Sequence, residues 1–175
     1  MTRPRLIATA GLPGSGKSSL AEGLAQTLQI AVLSIDPIEA AMWRADIPKE
    51  ITGIAAYQMA EAVAEENLKL GLSVIVDAVN PVEAARNMWV QLAERTHATL
   101  TFLECYCPDL STHRQRIENR RRNIPGMAEI SWERVQERRN EYKPWLHDRI
   151  TLDTAQNTTD QLVQHVLEAF RQTEQ

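Results

Sequence analysis

Residues 11–18 read Gly11-Leu12-Pro13-Gly14-Ser15-Gly16-Lys17-Ser18. They satisfy G-x-x-x-x-G-K-[ST], the pattern of a phosphate-binding loop. Pattern alone arises by chance, so the flanks matter. Leu6 to Ala10 is a short apolar run suited to a buried strand. After the loop, Leu20, Leu24 and Leu28 recur at helical spacing with Ala21 and Ala25 beside them. Strand, glycine-rich turn and helix form the arrangement the chemistry needs. Glycines let backbone N–H groups converge on phosphate oxygens, and the helix N-terminus adds a favourable dipole. Lys17 is placed to reach the β- and γ-phosphates, and Ser18 to offer an oxygen to Mg²⁺.

Outward from the loop, strand and helix signals alternate. Ala31–Ile35, Ser73–Asp77, Thr99–Cys105 and the shorter Arg149–Leu152 read as further strands. A helical segment over 57–70 carries Met59, Val63 and Leu70. Another over 82–95 carries Ala85, Met88 and Leu92. The last helix shows Leu162, Val163, Val166, Leu167 and Phe170, and Thr158 with Gln161 forms a capping box at its start. This alternation predicts an α/β fold with a parallel sheet covered on both faces. Two long excursions interrupt it, at about 37–70 and about 108–148, both longer than a minimal crossover. Such excursions carry binding groups on α/β scaffolds.

At 175 residues, with 43% hydrophobic and 24% charged residues, the chain fits one globular domain spanning 1–175. No apolar run approaches the ~20 residues of a membrane span, and the first apolar stretch runs into the glycine loop rather than a cleavage site. Cys105 and Cys107 lack a second pair for zinc and read as buried, reduced thiols of a cytoplasmic protein. The four histidines show no ligand spacing and read as surface or capping residues. Net charge is −4, but residues 113–149 hold ten Lys/Arg against six Asp/Glu, so the remainder carries −8. A basic cluster of this kind binds nucleic acid or a smaller polyphosphate.

Asp36 follows the second strand and Asp77 ends the third, so a parallel sheet brings both to the edge that carries the loop. Asp77 suits the Mg²⁺ hydration shell, and Asp36 suits proton acceptance from an attacking hydroxyl. Capping competes for the same residues. Asp36-Pro37-Ile38-Glu39 and Asn80-Pro81-Val82-Glu83 both read as N-cap, proline, first-turn acid. Arg116 and Arg120 are spaced to share one helix face, and arginine forks bind the equatorial oxygens of a phosphoryl group in transfer. Arg121 and Arg122 lead into a loop marked by Pro125 and Gly126. Trp43, in the first excursion, is the one tryptophan placed to meet a substrate.

Together GLPGSGKSSLA, SID, VIVDAVN, RIENR and SWERVQERRNEYKPW leading into RITLDT resemble the P-loop kinases of the zeta-toxin, chloramphenicol phosphotransferase and polynucleotide kinase type, the AAA_33-like proteins. The resemblance spans nearly the whole chain. It implies a nucleoside-kinase-like three-layer P-loop NTPase with a five-stranded sheet in the order 2-3-1-4-5, and an arginine-bearing lid near residues 116–126. It implies ATP and Mg²⁺, with nucleotide contacts from Gly11, Pro13, Gly14, Ser15, Gly16, Lys17, Ser18, Ser19, Arg116 and Thr154. Mg²⁺ would fall to Ser18 and Asp77, and catalysis to Lys17, Asp36, Asp77, Arg116 and Arg120. Many relatives have an arginine just after the aspartate of the second strand, where this chain has Ile38 and Glu39.

Three functions compete: a kinase of a small-molecule hydroxyl, a 5′-hydroxyl nucleic-acid kinase, and a non-catalytic ATP-binding partner protein. A regulatory GTPase is disfavoured, because Asn157-Thr158-Thr159-Asp160 lacks the lysine of a guanine-reading motif. Residues 36–70 carry seven acids and three bases, which tilts the expected acceptor towards a polar or cationic metabolite.

Overall fold

The computed structural model describes residues 3–172. Its elements run β1 (Arg5–Ala10), α1 (Lys17–Leu28), β2 (Ala31–Ser34), α2 (Ile35–Arg44), α3 (Lys49–Lys69), β3 (Val74–Asp77), α4 (Glu83–Thr96), β4 (Thr99–Tyr106), α5 (Leu110–Asn119), α6 (Trp132–Glu141), β5 (Ile150–Asp153) and α7 (Thr159–Gln172). The five strands form one sheet in the order β2-β3-β1-β4-β5, and every pairing is parallel. This is the expected three-layer α/β architecture.

Central β1 shows why both faces must be covered. Leu6 and Ala8 enter a core with α2, α3 and α4, while Ile7 enters one with α1 and α7. Successive strand side chains point to opposite faces, so an uninterrupted apolar strand needs a layer on each side. The thiols of Cys105 and Cys107 are free and buried, and burial pushes Cys105 up to about 12, which leaves it an inert core group. No helix among the described residues is long and apolar enough to cross a membrane.

Two helix-level expectations are corrected. On α3 the buried stripe is Ala56, Ala60, Ala64 and Leu68, whereas Met59, Val63 and Leu70 are exposed. Small residues let α3 lie close on the sheet, and large ones at that stripe would hold it off. The two capping readings also fail. The N-cap of α2 is Ser34 and that of α4 is Val82, so neither Asp36 nor Asn80 caps. Asp36 lies within the first turn of α2. Asn80 is fully buried with φ 48°, and its amide donates to Thr9 O (2.7 Å) and accepts from the Trp89 indole (2.9 Å). It ties the turn after β3 to β1. At α7 the capping box forms as expected, with reciprocal Thr158 and Gln161 bonds.

Arg86 is a structural residue that the sequence did not single out. Its side chain is fully buried and donates to the carbonyls of Asn80, Pro81, Lys143 and Pro144, with its guanidinium 3.8 Å from the Trp145 ring centre. It pins the segment after α6 onto the start of α4. Arg86→Leu removes the donor to the Asn80, Lys143 and Pro144 carbonyls, while Pro81 O keeps the Lys143 N–H (2.9 Å), and is expected to cost about 2–4 kcal/mol. Urea unfolding should show a lower midpoint at unchanged slope.

Candidate active site

The loop after β1 departs from ordinary backbone at its glycines, with Gly11 at φ 131°, Gly14 at 78° and Gly16 at 93°. Space is as tight as conformation. A Cβ on Gly11 would lie 2.2 Å from Cys105 O, and one on Gly14 would lie 2.6 Å from Ile117 Cδ1. The loop is therefore wedged between β4 and α5. Pro13 O is met by His113 Nε2 at 2.8 Å. Burial holds the His113 imidazole below its usual range, so it sits neutral, with Nε2–H donating and Nδ1 facing Arg139 (3.3 Å). His113 is thus a buried strut under the loop, not the surface or capping residue expected. A lone histidine carries no sequence pattern that would have marked it.

A cleft of about 770 Å³ opens over the loop, lined by Gly14, Gly16, Lys17, Ser18 and Ser19 from the loop and α1. Gly11 and Ser15 do not line it. Gly11 anchors the loop by donating to Val79 O (3.1 Å), and the Ser15 hydroxyl is buried with no hydrogen-bond partner among the described residues. Lys17 is only 4% exposed, and its ammonium makes no ion pair among the described residues. Burial lowers its pKa, an effect that Asp77 and Asp36 oppose and Arg120 and Arg122 reinforce. A buried ammonium on a cleft floor of backbone N–H groups at the start of a helix fits a polyphosphate.

Asp77, from the end of β3, faces the cleft with its carboxylate held by Thr9 Oγ1 and Ser34 Oγ, each at 3.1 Å. Parallel register sets Ser34 opposite Asp77, which diverts the Ser34 hydroxyl from capping α2. Hydroxyls grip the carboxylate without neutralising it, as suits outer-sphere contact to a metal. No cluster of three or more His, Cys, Asp or Glu among the described residues could hold a metal ion unaided. The donor set, one serine hydroxyl and one carboxylate beside a phosphate cradle, fits Mg²⁺ held chiefly by phosphates and water.

On the far wall, α5 ends at Asn119, so Arg120 leaves the helix in extended backbone. Arg116 and Arg120 therefore do not share a helix face, yet both line the cleft. Their duties differ. Arg116 donates to Thr154 Oγ1 (2.9 Å) and Thr154 O (2.6 Å), bracing the wall that β5 and its following turn provide. Arg120 makes no side-chain hydrogen bond or ion pair among the described residues, and burial is the main cause of its lowered pKa.

A second chamber of about 240 Å³ adjoins the first, and Arg120 and Arg122 line both. Asp36 and Pro13 belong to this chamber. Arg122 forms a salt bridge with Asp36. Burial alone would raise the Asp36 pKa, but Lys17, Arg122 and Arg120 reverse this and hold the carboxyl below its usual range. Arg122, expected with Arg121 to enter the loop, lies in coil, and coil geometry delivers it to Asp36. Trp43 lines the second chamber, with its indole donating to Thr52 Oγ1 (2.7 Å) and Thr52 Oγ1 donating to Glu39 Oε1 (3.0 Å). The acid-rich tilt of residues 36–70 fails here. Only Asp36 and Glu39 of the seven acids reach the chamber, while Glu61 and Glu65 pair with Arg95 elsewhere.

A family profile, AAA_33, described as an AAA domain, matches residues 6–145. The chain belongs to the AAA_33 family. No curated protein matches its sequence. Among solved structures, a candidate kinase from Chloroflexus aurantiacus is similar over 95% of this chain and 98% of its own, at 23% identity and TM-score 0.77. The APS kinase of Mycobacterium tuberculosis in complex with AMPPNP and APS is 19% identical, with 98% and 99% covered and TM-score 0.70. A gluconokinase from Sinorhizobium meliloti is 17% identical, with 99% and 95% covered and TM-score 0.66. At these identities the likeness establishes the P-loop kinase fold of this AAA_33 protein.

Proposed function

We propose that this protein is an ATP-dependent kinase that transfers the γ-phosphoryl group to a hydroxyl of a small-molecule acceptor. One observation carries the reading: two chambers meet at Arg120 and Arg122, with Lys17 in one and Asp36 in the other. The kinase neighbours, and the nucleotide analogue bound by one of them, support it. The large chamber takes the nucleotide, and Lys17, Arg120 and the loop N–H groups hold charge on the phosphates. Mg²⁺, placed by Ser18 and Asp77, would neutralise phosphate charge. Asp36 aligns the acceptor hydroxyl and takes its proton as the new O–P bond forms and the bond from γ-phosphorus to the bridging oxygen breaks, releasing ADP.

The direct test is product formation from Mg·ATP across sugars, sugar acids, nucleosides, antibiotics and 5′-hydroxyl oligonucleotides. At least one small acceptor should raise turnover about tenfold over hydrolysis, and a panel with no stimulation would overturn the reading. The Asp36–Arg122 pair adds a pH prediction. Arg122 lowers the Asp36 pKa by attraction and by its hydrogen bond. Arg122→Gln removes both, so the acid limb of kcat/KM should move to higher pH. An unmoved limb would separate Asp36 from the titration.

A further inference from the structure

The second chamber has a charge pattern that narrows the acceptor. Its carboxylates are Asp36 and Glu39, and its cations are Arg120, Arg122, Arg134 and Arg138. Two of the cations are engaged. Arg122 is paired with Asp36. Arg134 pairs with Glu137 (2.7 Å) and Glu141 (3.4 Å) on its own helix. Arg120 and Arg138 have no carboxylate within 4 Å and no side-chain hydrogen bond among the described residues. Arg120 borders the nucleotide chamber as well, whereas Arg134 and Arg138 line the second chamber alone, and of these two only Arg138 is without an ion pair among the described residues. It is half-buried, and no carboxylate among the described residues pairs with it. Glu39 is tied into the Trp43–Thr52–Glu39 chain of hydrogen bonds, which turns it towards recognition of a hydroxyl or towards shaping the wall.

We infer that the acceptor is a small hydroxylated oxyanion, a carboxylate or a phosphate or sulfate ester, whose hydroxyl meets Asp36 and whose anionic group rests on Arg138. Its role as acceptor rests on the kinase reading, whereas the anion preference rests on the chamber itself. A planar guanidinium with no internal partner binds an oxyanion through paired N–H donors, and a cationic ligand would face surplus positive charge. Size favours a compact compound. A chamber of about 240 Å³ falls below the ~300–1,000 Å³ usual for ligand pockets.

The test uses the full chain saturated with AMPPNP and Mg²⁺, so that the phosphate loop is occupied. Matched pairs are titrated by calorimetry: D-gluconate with D-glucitol, D-glycerate with glycerol, and glycerol 3-phosphate with glycerol. Anions should bind about tenfold or more tightly than their neutral partners. Arg138→Gln should erase that preference while AMPPNP affinity is unchanged, and Arg134→Gln should have the smaller effect. A melting curve for each variant confirms that the fold persists. Equal or stronger binding of neutral partners, no binding of any anion, a preference that survives Arg138→Gln, or tighter binding of a 5′-hydroxyl oligonucleotide than of every small anion overturns the inference. An anion that binds with this preference yet takes no phosphoryl group from ATP leaves the inference standing and overturns the kinase reading instead.

Discussion

Lys17→Met is expected to lower kcat/KM for phosphoryl transfer by about 10³-fold or more while leaving the empty protein at least as stable as the native chain. Both halves follow from the same observation. Lys17 is buried without an ion pair, and desolvation is the leading cause of its lowered pKa. A buried charge without a close partner destabilises a fold. Methionine keeps the unbranched shape and removes that cost. A gain of about 1 kcal/mol would raise the melting temperature by about 2–4 °C for a chain of this size. In the presence of nucleotide the order should invert, because the native chain gains binding free energy that the variant lacks. Melting curves with and without Mg·ATP, beside turnover, check the pair of effects. A variant that melts well below the native chain without nucleotide would make Lys17 a structural residue and refute the trade-off.

The nucleotide half of the site was legible because its chemistry is local. Eight consecutive residues place Lys17 and Ser18, and a strand that ends in Asp77 announces itself by composition. The parallel sheet and the separation of the two excursions were equally readable from alternation, whereas the strand order was implied by the family resemblance. The acceptor half was not, for physical reasons that differ by residue. Arg122 reaches Asp36 across 86 positions from a coil, and no periodicity predicts where a coil side chain points. The stripe of α3 was misread because alanines at every fourth position bury well while showing little hydrophobic contrast. Asp36 and Asn80 looked like caps because their local sequences are good caps. Tertiary contacts decided otherwise, since Arg122 claims the Asp36 carboxylate and Thr9 O claims the Asn80 amide. Where a local preference and a tertiary contact compete for one polar group, the buried contact prevails, because an unpaired buried group is costly.

Asp36→Asn carries the second large effect, and it separates base from bystander. Asparagine keeps size and can still meet Arg122 through its amide oxygen, but it cannot take a proton at neutral pH. If Asp36 is the proton acceptor, kcat should fall by about 10²–10⁴-fold with KM for ATP nearly unchanged, since the large chamber does not include Asp36. The depressed pKa bears on how the carboxylate acts. Lys17 and Arg122 stabilise its ionised form, which guarantees the basic state near neutrality but makes the group a weaker base. Proton transfer is then late, as a loose phosphoryl transition state requires, because the hydroxyl becomes acidic only once the O–P bond has begun to form. On the proposed mechanism, orientation of the hydroxyl therefore contributes beside proton acceptance. The two contributions can be told apart. If orientation dominates, Asp36→Asn retains most activity and Asp36→Ala loses it. If proton acceptance dominates, both variants fall alike. A non-catalytic nucleotide-binding protein would instead bind Mg·ATP as the native chain does in both variants, with no acceptor-stimulated turnover to lose. Steady-state kinetics on the two variants, beside nucleotide affinity, discriminates the three outcomes.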